Sequence, residues 1–298
     1  MTTIAFLGLG HMGGPMAANL VKAGHTVRGF DPVPAACEHA ASEGVAIQVS
    51  AREAVTGADV IITMLPNGKL LLDLYTEILS GAPASTLLID CSTVDVADAR
   101  EAESRAASSG HRMVDAPVSG GVVGATAATL TFMVGGDDAN FAAAEPILAA
   151  MGKKIVHCGG PGSGQAAKIC NNMILGISMI AVSEAFVLAE ALGLSSQALY
   201  DVASTASGSC WALNTNCPVP GPVPTSPANR DYEPGFAVAL MAKDLGLAAN
   251  ALREHGVAGE LGLRAAERYA NLRDTGHAGK DFSDVINEIR TQSGEGAN

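Results

Sequence analysis

Lys168 stands near the start of an apolar helical run, in Gly164-Gln165-Ala166-Ala167-Lys168-Ile169-Cys170-Asn171-Asn172, which continues from Met173 to Val182. On a helix, Gln165, Lys168 and Asn172 fall on one face, three and four residues apart. That face carries an ammonium and amides where burial is expected, and a buried charge is costly without a partner or a task. Desolvation and the positive end of a helix both lower a lysine's proton affinity. Lys168 is therefore a candidate for proton exchange near neutral pH, unless its stem simply carries the charge out to water. A second candidate is Asp115-Ala116-Pro117-Val118-Ser119-Gly120-Gly121. Ser119, Gly120 and Gly121 offer a hydroxyl and successive amides to one point, a concavity suited to a carboxylate. Read alone, the same triplet is an ordinary turn.

A third constellation opens the chain: Gly8-Leu9-Gly10-His11-Met12-Gly13 follows the apolar run Ile4–Leu7 and precedes an apolar helix pattern. Strand, glycine turn and helix are followed by a second strand ending in Phe30-Asp31, which completes the dinucleotide fingerprint. Gly8 permits the tight turn, Gly10 the approach of a pyrophosphate, and Gly13 close helix–strand packing. The helix start offers amides to phosphate. Asp31 suits the adenosine ribose hydroxyls and repels a 2′-phosphate; Pro32, Val33 and Pro34 follow it with no cation. NAD is the expected cofactor. Two more loops leave strand ends, Met64-Leu65-Pro66-Asn67 and Asp90-Cys91-Ser92-Thr93. Asn67 and Thr93 either contact the ribose and nicotinamide side or cap the helices that follow. His11 sits in the glycine turn without an evident partner carboxylate and is not assigned a catalytic role.

The elements that must hold these residues alternate through the first half. Strands are predicted at Ile4–Leu7, Thr26–Phe30, Asp59–Leu65, Leu87–Asp90, Met113–Asp115, Leu130–Val134 and Ile155–His157. Helices are predicted at Met12–Ala23, Pro34–Glu43, Lys69–Leu79, Val94–Ser109 and Ala139–Met151. Such alternation implies a parallel sheet covered on both faces. Gly159-Gly160-Pro161-Gly162 breaks the pattern. Beyond it only helices are expected: Gln165–Leu192, Ser195–Ala203, Phe236–His255, Glu260–Thr275 and Phe282–Arg290, then a frayed tail from Ser293 to Asn298. The fold class is an α/β Rossmann-type doubly wound sheet followed by an all-α domain joined by a long helix. The domains are expected at 1–162 (NAD-binding) and 163–298 (helical, substrate and assembly). Ser207–Pro234, rich in Pro, Asn and Ser and holding the single tryptophan, Trp211, reads as a lid or as a surface loop.

The chain has 298 residues, nearly half of them apolar, and a net charge of -12. That acidity argues against a nucleic-acid partner, and no basic run marks a membrane surface site. The apolar run after Asn172 is interrupted by Ser183, Glu184 and Glu190 and reads as a core helix rather than a span, which needs ~20 apolar residues. The six cysteines form no C-x-x-C pair, so no metal site is expected, and their scatter suits reduced thiols in the cytoplasm. A strand pattern already at Ile4 leaves no room for a leader.

Together these motifs resemble the β-hydroxyacid dehydrogenase family over nearly the whole chain. The resemblance rests on Phe6–Gly13, Asp115–Gly121, Gly164–Lys168 with Asn171-Asn172, and Lys243-Asp244-Leu245-Gly246-Leu247-Ala248. Cys210–Asn214 with Asn216–Gly221 resembles the hydroxyisobutyrate branch in particular. The resemblance implies that Lys168 is the catalytic acid/base, that Asn172 holds lysine and substrate, and that Ser119–Gly121 bind the substrate carboxylate. It also places Lys243 near the nicotinamide, and implies a homodimer or homotetramer assembled through the helical domain. Gly8, Leu9, Gly10, His11, Met12, Gly13, Asp31, Leu65, Pro66, Asn67, Thr93 and Lys243 are the expected cofactor residues. Ser119, Gly120, Gly121, Lys168, Asn172 and Trp211 are the expected substrate residues. The reaction implied is NAD-linked oxidation of 3-hydroxyisobutyrate to methylmalonate semialdehyde, a step of valine breakdown. Sister reactions on tartronate semialdehyde, succinic semialdehyde or glyoxylate, imine reduction, and a non-catalytic dinucleotide-binding scaffold are the alternatives. Relatives often carry Ala-Gly-Thr-Leu where this chain has Ala127-Ala128-Thr129-Leu130. The alanine is expected to tighten that turn and bear on fine substrate placement.

Overall fold

The computed structural model describes residues 1–294. The chain divides into two compact units, Met1–Lys168 and a second beginning at Ile169. The first unit carries strands β1 (Thr3–Leu7), β2 (Thr26–Phe30), β3 (Ala46–Ile47), β4 (Val60–Thr63), β5 (Leu87–Asp90), β6 (Arg112–Asp115), β7 (Val118–Ser119), β8 (Leu130–Gly135) and β9 (Gly152–Gly159). Between them lie helices α1 (Gly13–Lys22), α2 (Pro34–Ser42), α3 (Ala51–Val55), α4 (Gly68–Ile78), α5 (Val96–Ser108), α6 (Gly121–Thr126) and α7 (Asp138–Leu148).

The strand order is β3-β2-β1-β4-β5-β6-β8-β7, with β9 beside β8. Strands β1 to β6 pair in parallel. Their residues alternate between two cores: Ile4, Phe6, Ile62 and Ile89 face one layer, and Ala5, Leu7, Ile61 and Leu88 the other. Apolar side chains on both faces explain why β1, β4 and β5 read as near-continuous hydrophobic runs. The chain passes from β1 outward through β2 and β3, then returns to β4 on the other side of β1. This reversal is a topological switch point, and ligands bind outside the strand carboxyl ends at such points.

The expected all-parallel sheet needs one correction. β8 runs antiparallel to β6 and β7. Between β6 and β8 the chain forms only the short β7 and the six-residue α6, with no helix long enough to carry it back along the sheet face for a parallel return. β3, β7, α3 and α6 were not expected, being too short to show a period.

Helix α8 (Ser163–Ala191) starts in the first unit and continues into the second. By length and composition it is apolar enough to cross a membrane. Its buried positions Gln165, Lys168, Asn172, Met179, Ser183 and Phe186 form one stripe, while Ile174 and Leu188 are exposed. A single stripe at this spacing is the pattern of a helix that packs one face against a core.

The second unit adds α9 (Ser196–Ala203), α10 (Trp211–Asn214), α11 (Val238–Glu254), α12 (Glu260–Leu272) and α13 (Val285–Gln292). Met179, Phe186, Met241, Leu245, Tyr269 and Phe282 build its core. No strand is assigned among its described residues, only an isolated bridge between Ala237 and Asp281. The helix expected over Glu260–Thr275 ends at Leu272, because Gly276 turns to φ +101° in the kinked segment after it. The one expected over Phe282–Arg290 opens with a 3-10 turn, Phe282–Asp284. Of the expected tail, Ser293 closes α13, and residues 295–298 lie outside the described residues.

Candidate active site

The loops that leave β1, β2, β4 and β5 emerge at the same edge of the parallel sheet. The three turn glycines serve different ends there. Gly8 lies at φ +95°, and a Cβ on it would collide with the Met64 carbonyl. A Cβ on Gly13 would collide with the Gly8 carbonyl, so α1 seats against the turn only with glycine. A Cβ on Gly10 would meet nothing within 4 Å. Nothing in the protein demands glycine at position 10; the open backbone suits an incoming pyrophosphate. α1 has no side-chain cap and no acidic residue in its first turn, which leaves its leading amides to an anion.

Asp31 is half-buried at the end of β2. Its Oδ2 accepts from the Leu9 amide at 2.7 Å and its Oδ1 from the Val33 amide at 2.8 Å. A carboxylate has further lone pairs after two such bonds, so ribose hydroxyls can share it. His11 and Pro66 are exposed, Met12 and Leu65 half-buried. Asn67, exposed, caps α4, its Oδ1 accepting from the Leu70 amide at 3.0 Å. Asp95, not Thr93, caps α5. Of the two caps weighed in the sequence, Asn67 is one and Thr93 is not.

The loops after β4 and β5 hang on a buried carboxylate. Asp90 Oδ1 accepts from Thr63 Oγ1 at 2.7 Å and from Ser92 Oγ at 2.6 Å, and the Ser92 hydroxyl in turn accepts from the Leu65 amide at 2.8 Å. Asp90 Oδ2 is buried without a hydrogen bond. Burial pushes the Asp90 carboxyl up to about 6, against the pull of the bonds from Ser92 and Thr63.

The Ser119 turn follows β7. Gly120 and Gly121 both lie at positive φ, +133° and +62°, a conformation that glycine adopts freely. Ser119 is half-buried and Gly120 exposed. Below this turn, Asp115 at the end of β6 holds the start of α8. Its Oδ1 accepts from the Gly162 amide at 2.7 Å and its Oδ2 from the Gln165 amide at 2.8 Å. Burial raises the Asp115 carboxyl, and these backbone bonds oppose the rise. Gln165 is fully buried, and Lys168, one turn on, is 6% exposed. Burial of Gln165, Lys168 and Asn172 agrees with the shared face read from their spacing.

In the second unit, Asn172 Nδ2 donates to Asp244 Oδ2 at 2.5 Å, and Lys243 Nζ lies 3.3 Å from Asp244 Oδ1. Asp244 thus joins two expected site residues. The Ser207–Pro234 segment is ordered: Leu213, Cys217, Val219 and Val223 are buried, and the Tyr232 hydroxyl donates to the Pro218 carbonyl at 2.8 Å. Asn216 ties it to the buried Asp281 at 2.9 Å. Trp211 itself is 52% exposed. Asp90, Ser92, Asp115 and Asp244 were not singled out in the sequence. The available signal was an aspartate closing an apolar strand, as in Leu87–Asp90 and Met113–Asp115.

Comparison with known proteins also divides the chain in two, ahead of α8 rather than within it. Residues 3–160 match the family described as the NAD binding domain of 6-phosphogluconate dehydrogenase. Residues 162–289 match the NAD-binding domain of NADP-dependent 3-hydroxyisobutyrate dehydrogenase, and α8 is the first element of that second domain. The chain is 59% identical to the probable 3-hydroxyisobutyrate dehydrogenase of Mycobacterium bovis, covering 98% of this chain and 99% of that protein. It is 45% identical to the NAD-dependent L-serine dehydrogenase of Pseudomonas aeruginosa, covering 96% and 97%. The structure of the Mycobacterium tuberculosis 3-hydroxyisobutyrate dehydrogenase with L-serine superposes with a TM-score of 0.94 at 59% identity, covering 97% and 99% of the two chains. Matched over 98% of its length at 59% identity, the chain belongs to the 3-hydroxyisobutyrate dehydrogenase family.

Proposed function

We propose that the chain oxidises 3-hydroxyisobutyrate to methylmalonate semialdehyde with NAD, Lys168 acting as the acid/base. The observation that carries this reading is a lysine buried in the early turns of α8, on the same unit as the glycine turn and the Ser119 turn. Bound NAD supplies a nicotinamide that accepts hydride. The Gly8–Gly13 turn, Asp31, Leu65–Asn67 and Thr93 bind and orient that cofactor. Ser119, Gly120 and Gly121 take the substrate carboxylate, fixing the primary hydroxyl carbon. Lys168 Nζ removes the hydroxyl proton while the carbon loses hydride, so alcohol becomes aldehyde. In the reverse direction the same ammonium protonates the aldehyde oxygen. Asn172, Lys243 and Trp211, on the second unit, take the substrate and cofactor contacts that the family resemblance implies. Residues 1–162 serve as the NAD-binding domain and 163–298 as the helical domain of a cytoplasmic homodimer or homotetramer.

L-Serine is a second substrate reading. It shares the carboxylate and the primary β-hydroxyl, and it is named both for the Pseudomonas aeruginosa relative and in the Mycobacterium tuberculosis complex. Asp31 favours NAD over NADP by repulsion of the 2′-phosphate.

A NAD-linked absorbance assay across 3-hydroxyisobutyrate, L-serine, 3-hydroxypropionate and 3-hydroxybutyrate, repeated with NADP, tests the assignment. The highest kcat/KM is expected for 3-hydroxyisobutyrate with NAD. Positioned proton transfer contributes ~10²–10⁴-fold, so Lys168→Ala should lose at least that in turnover and still bind NAD. Near-normal turnover in that variant would remove Lys168 from the chemistry.

A further inference from the structure

Gln165 is fully buried, and every polar group of its side chain is used on one short segment. Its Oε1 accepts from the Val94 amide at 3.1 Å, and its Nε2 donates to the Ser92 carbonyl at 2.8 Å. The two partners flank Thr93. The side-chain amide therefore pairs with the backbone of the loop as a neighbouring strand would, and brackets the residue expected on the nicotinamide side. The Gln165 backbone amide is meanwhile held by Asp115. Gly164 lets the helix approach this closely, since a Cβ there would collide with the Met133 carbonyl. Ser92 extends the chain of contacts, its hydroxyl linking Asp90 to the Leu65 amide. The loops after β4 and β5 and the first turn of α8 are thus locked together through Gln165 and Ser92.

Gln165 and Lys168 are three apart on one helical face, so whatever fixes Gln165 fixes the turn that presents the lysine. We infer that Gln165 is a positioning residue: its amide holds Thr93, on the cofactor side, in register with Lys168. The inference rests on the reading of Lys168 as the acid/base. An apolar side chain of equal volume would fill the space but leave the Val94 amide and Ser92 carbonyl unpaired. The loop and the lysine would then be free to drift relative to one another. A misplacement of about 1 Å can cost ~10²-fold in rate.

The test compares the full-length protein with Gln165→Met, which keeps volume and loses both bonds, and Gln165→Glu, which keeps the acceptor for Val94 and loses the donor to Ser92. Without cofactor, hydrogen exchange in residues 92–97 should be about tenfold faster in Gln165→Met. With saturating NAD, kcat should fall ~10–100-fold, while the Kd for NAD changes by less than about threefold. The kinetic isotope effect on substrate deuterated at the carbinol carbon should rise, as hydride transfer comes to limit turnover. Gln165→Glu should fall between the two proteins. If Gln165→Met does not fold, Gln165→Glu alone carries the test through its exchange rate and isotope effect. The inference is overturned if exchange quickens but kcat and the isotope effect stay at wild-type values. It is also overturned if kcat per folded molecule is normal and only the melting temperature drops. Lys168→Ala run in parallel separates the two claims. An inactive Lys168→Ala beside a normal Gln165→Met sinks this inference alone, and an active Lys168→Ala sinks the catalytic reading beneath it.

Discussion

The glycine turn after β1 and the first turn of α8 are built with the same device. In each, an aspartate at the end of another strand accepts two backbone amides, one per oxygen: Asp31 from Leu9 and Val33, Asp115 from Gly162 and Gln165. The surroundings differ. Asp31 is half-buried and keeps lone pairs within reach of a ligand, whereas Asp115 is 3% exposed. One geometry is thus left open to a ligand where water reaches it and is closed into the framework where water does not.

The sharpest way to break this contrast is to truncate both carboxylates. Asp115→Ala orphans two buried amides, each worth about 1–3 kcal/mol, so a loss of about 2–6 kcal/mol is expected in urea denaturation. Asp31→Ala orphans the amide of Leu9, which is 2% exposed, while Val33 is exposed and its amide can turn to water, so a smaller loss of about 1–3 kcal/mol is expected. Its effect should fall on NAD, with Kd rising about tenfold or more and discrimination against NADP shrinking, read by titration with each dinucleotide. Equal losses of stability in the two variants would mean that burial does not separate the roles.

Asp90 is a third strand-end aspartate and sharpens the comparison through pH. Folded, it holds its proton to about 6 because burial penalises the charge; unfolded, it releases it near pH ~4. Between those values the folded chain binds more protons, so stability falls as pH rises through this window. At ~1.4 kcal/mol per pKa unit, the contribution is on the order of 2–3 kcal/mol. Asp90→Asn keeps an acceptor for Thr63 and Ser92 and removes the titration. Its urea midpoint should fall less than that of the wild type between pH 4 and pH 7. Parallel pH profiles would show that Asp90 is not the group responsible.

The same contrast explains what was legible in the sequence. Gly8, Gly10, Gly13 and Asp31 lie within one βαβ unit, so their spacing announces a dinucleotide turn before any fold is known. The shared face of Gln165, Lys168 and Asn172 followed from helical period, whereas the choice between a buried Lys168 and one reaching water needed the fold. The partners of those residues did not, because Asp115 lies 50 positions from Gln165 and Asp244 lies 72 from Asn172. Only the folded chain brings such pairs together. The antiparallel β8 was missed for a related reason: an apolar strand shows its burial in sequence but not its direction. The Ser207–Pro234 segment advertised order through Trp211, yet the side chains that anchor it are Leu213, Cys217, Val219 and Val223.

A turn governed by neither carboxylate nor ligand gives the smallest and most local prediction. The alanine in Ala127-Ala128-Thr129-Leu130 was expected to tighten the turn after α6. Instead Ala128 keeps a left-handed conformation, φ +54°. The Thr129 amide donates to the Gly124 carbonyl at 2.9 Å and the Ala128 amide to the Ala125 carbonyl at 3.4 Å. These are the two bonds of a helix C-terminal motif whose left-handed position is usually glycine. For an L-residue that conformation costs roughly 1–2 kcal/mol, and glycine returns part of the gain as unfolded-state entropy. Ala128→Gly should therefore stabilise the chain by about 1 kcal/mol, a rise of ~2 °C in Tm. Because the backbone already sits where glycine would put it, the Ser119 turn ahead of α6 should not move, and KM for the hydroxy acid should stay unchanged. A drop in Tm, or a shift in KM without one in Tm, would show that the alanine side chain has a packing role that its backbone angles do not reveal.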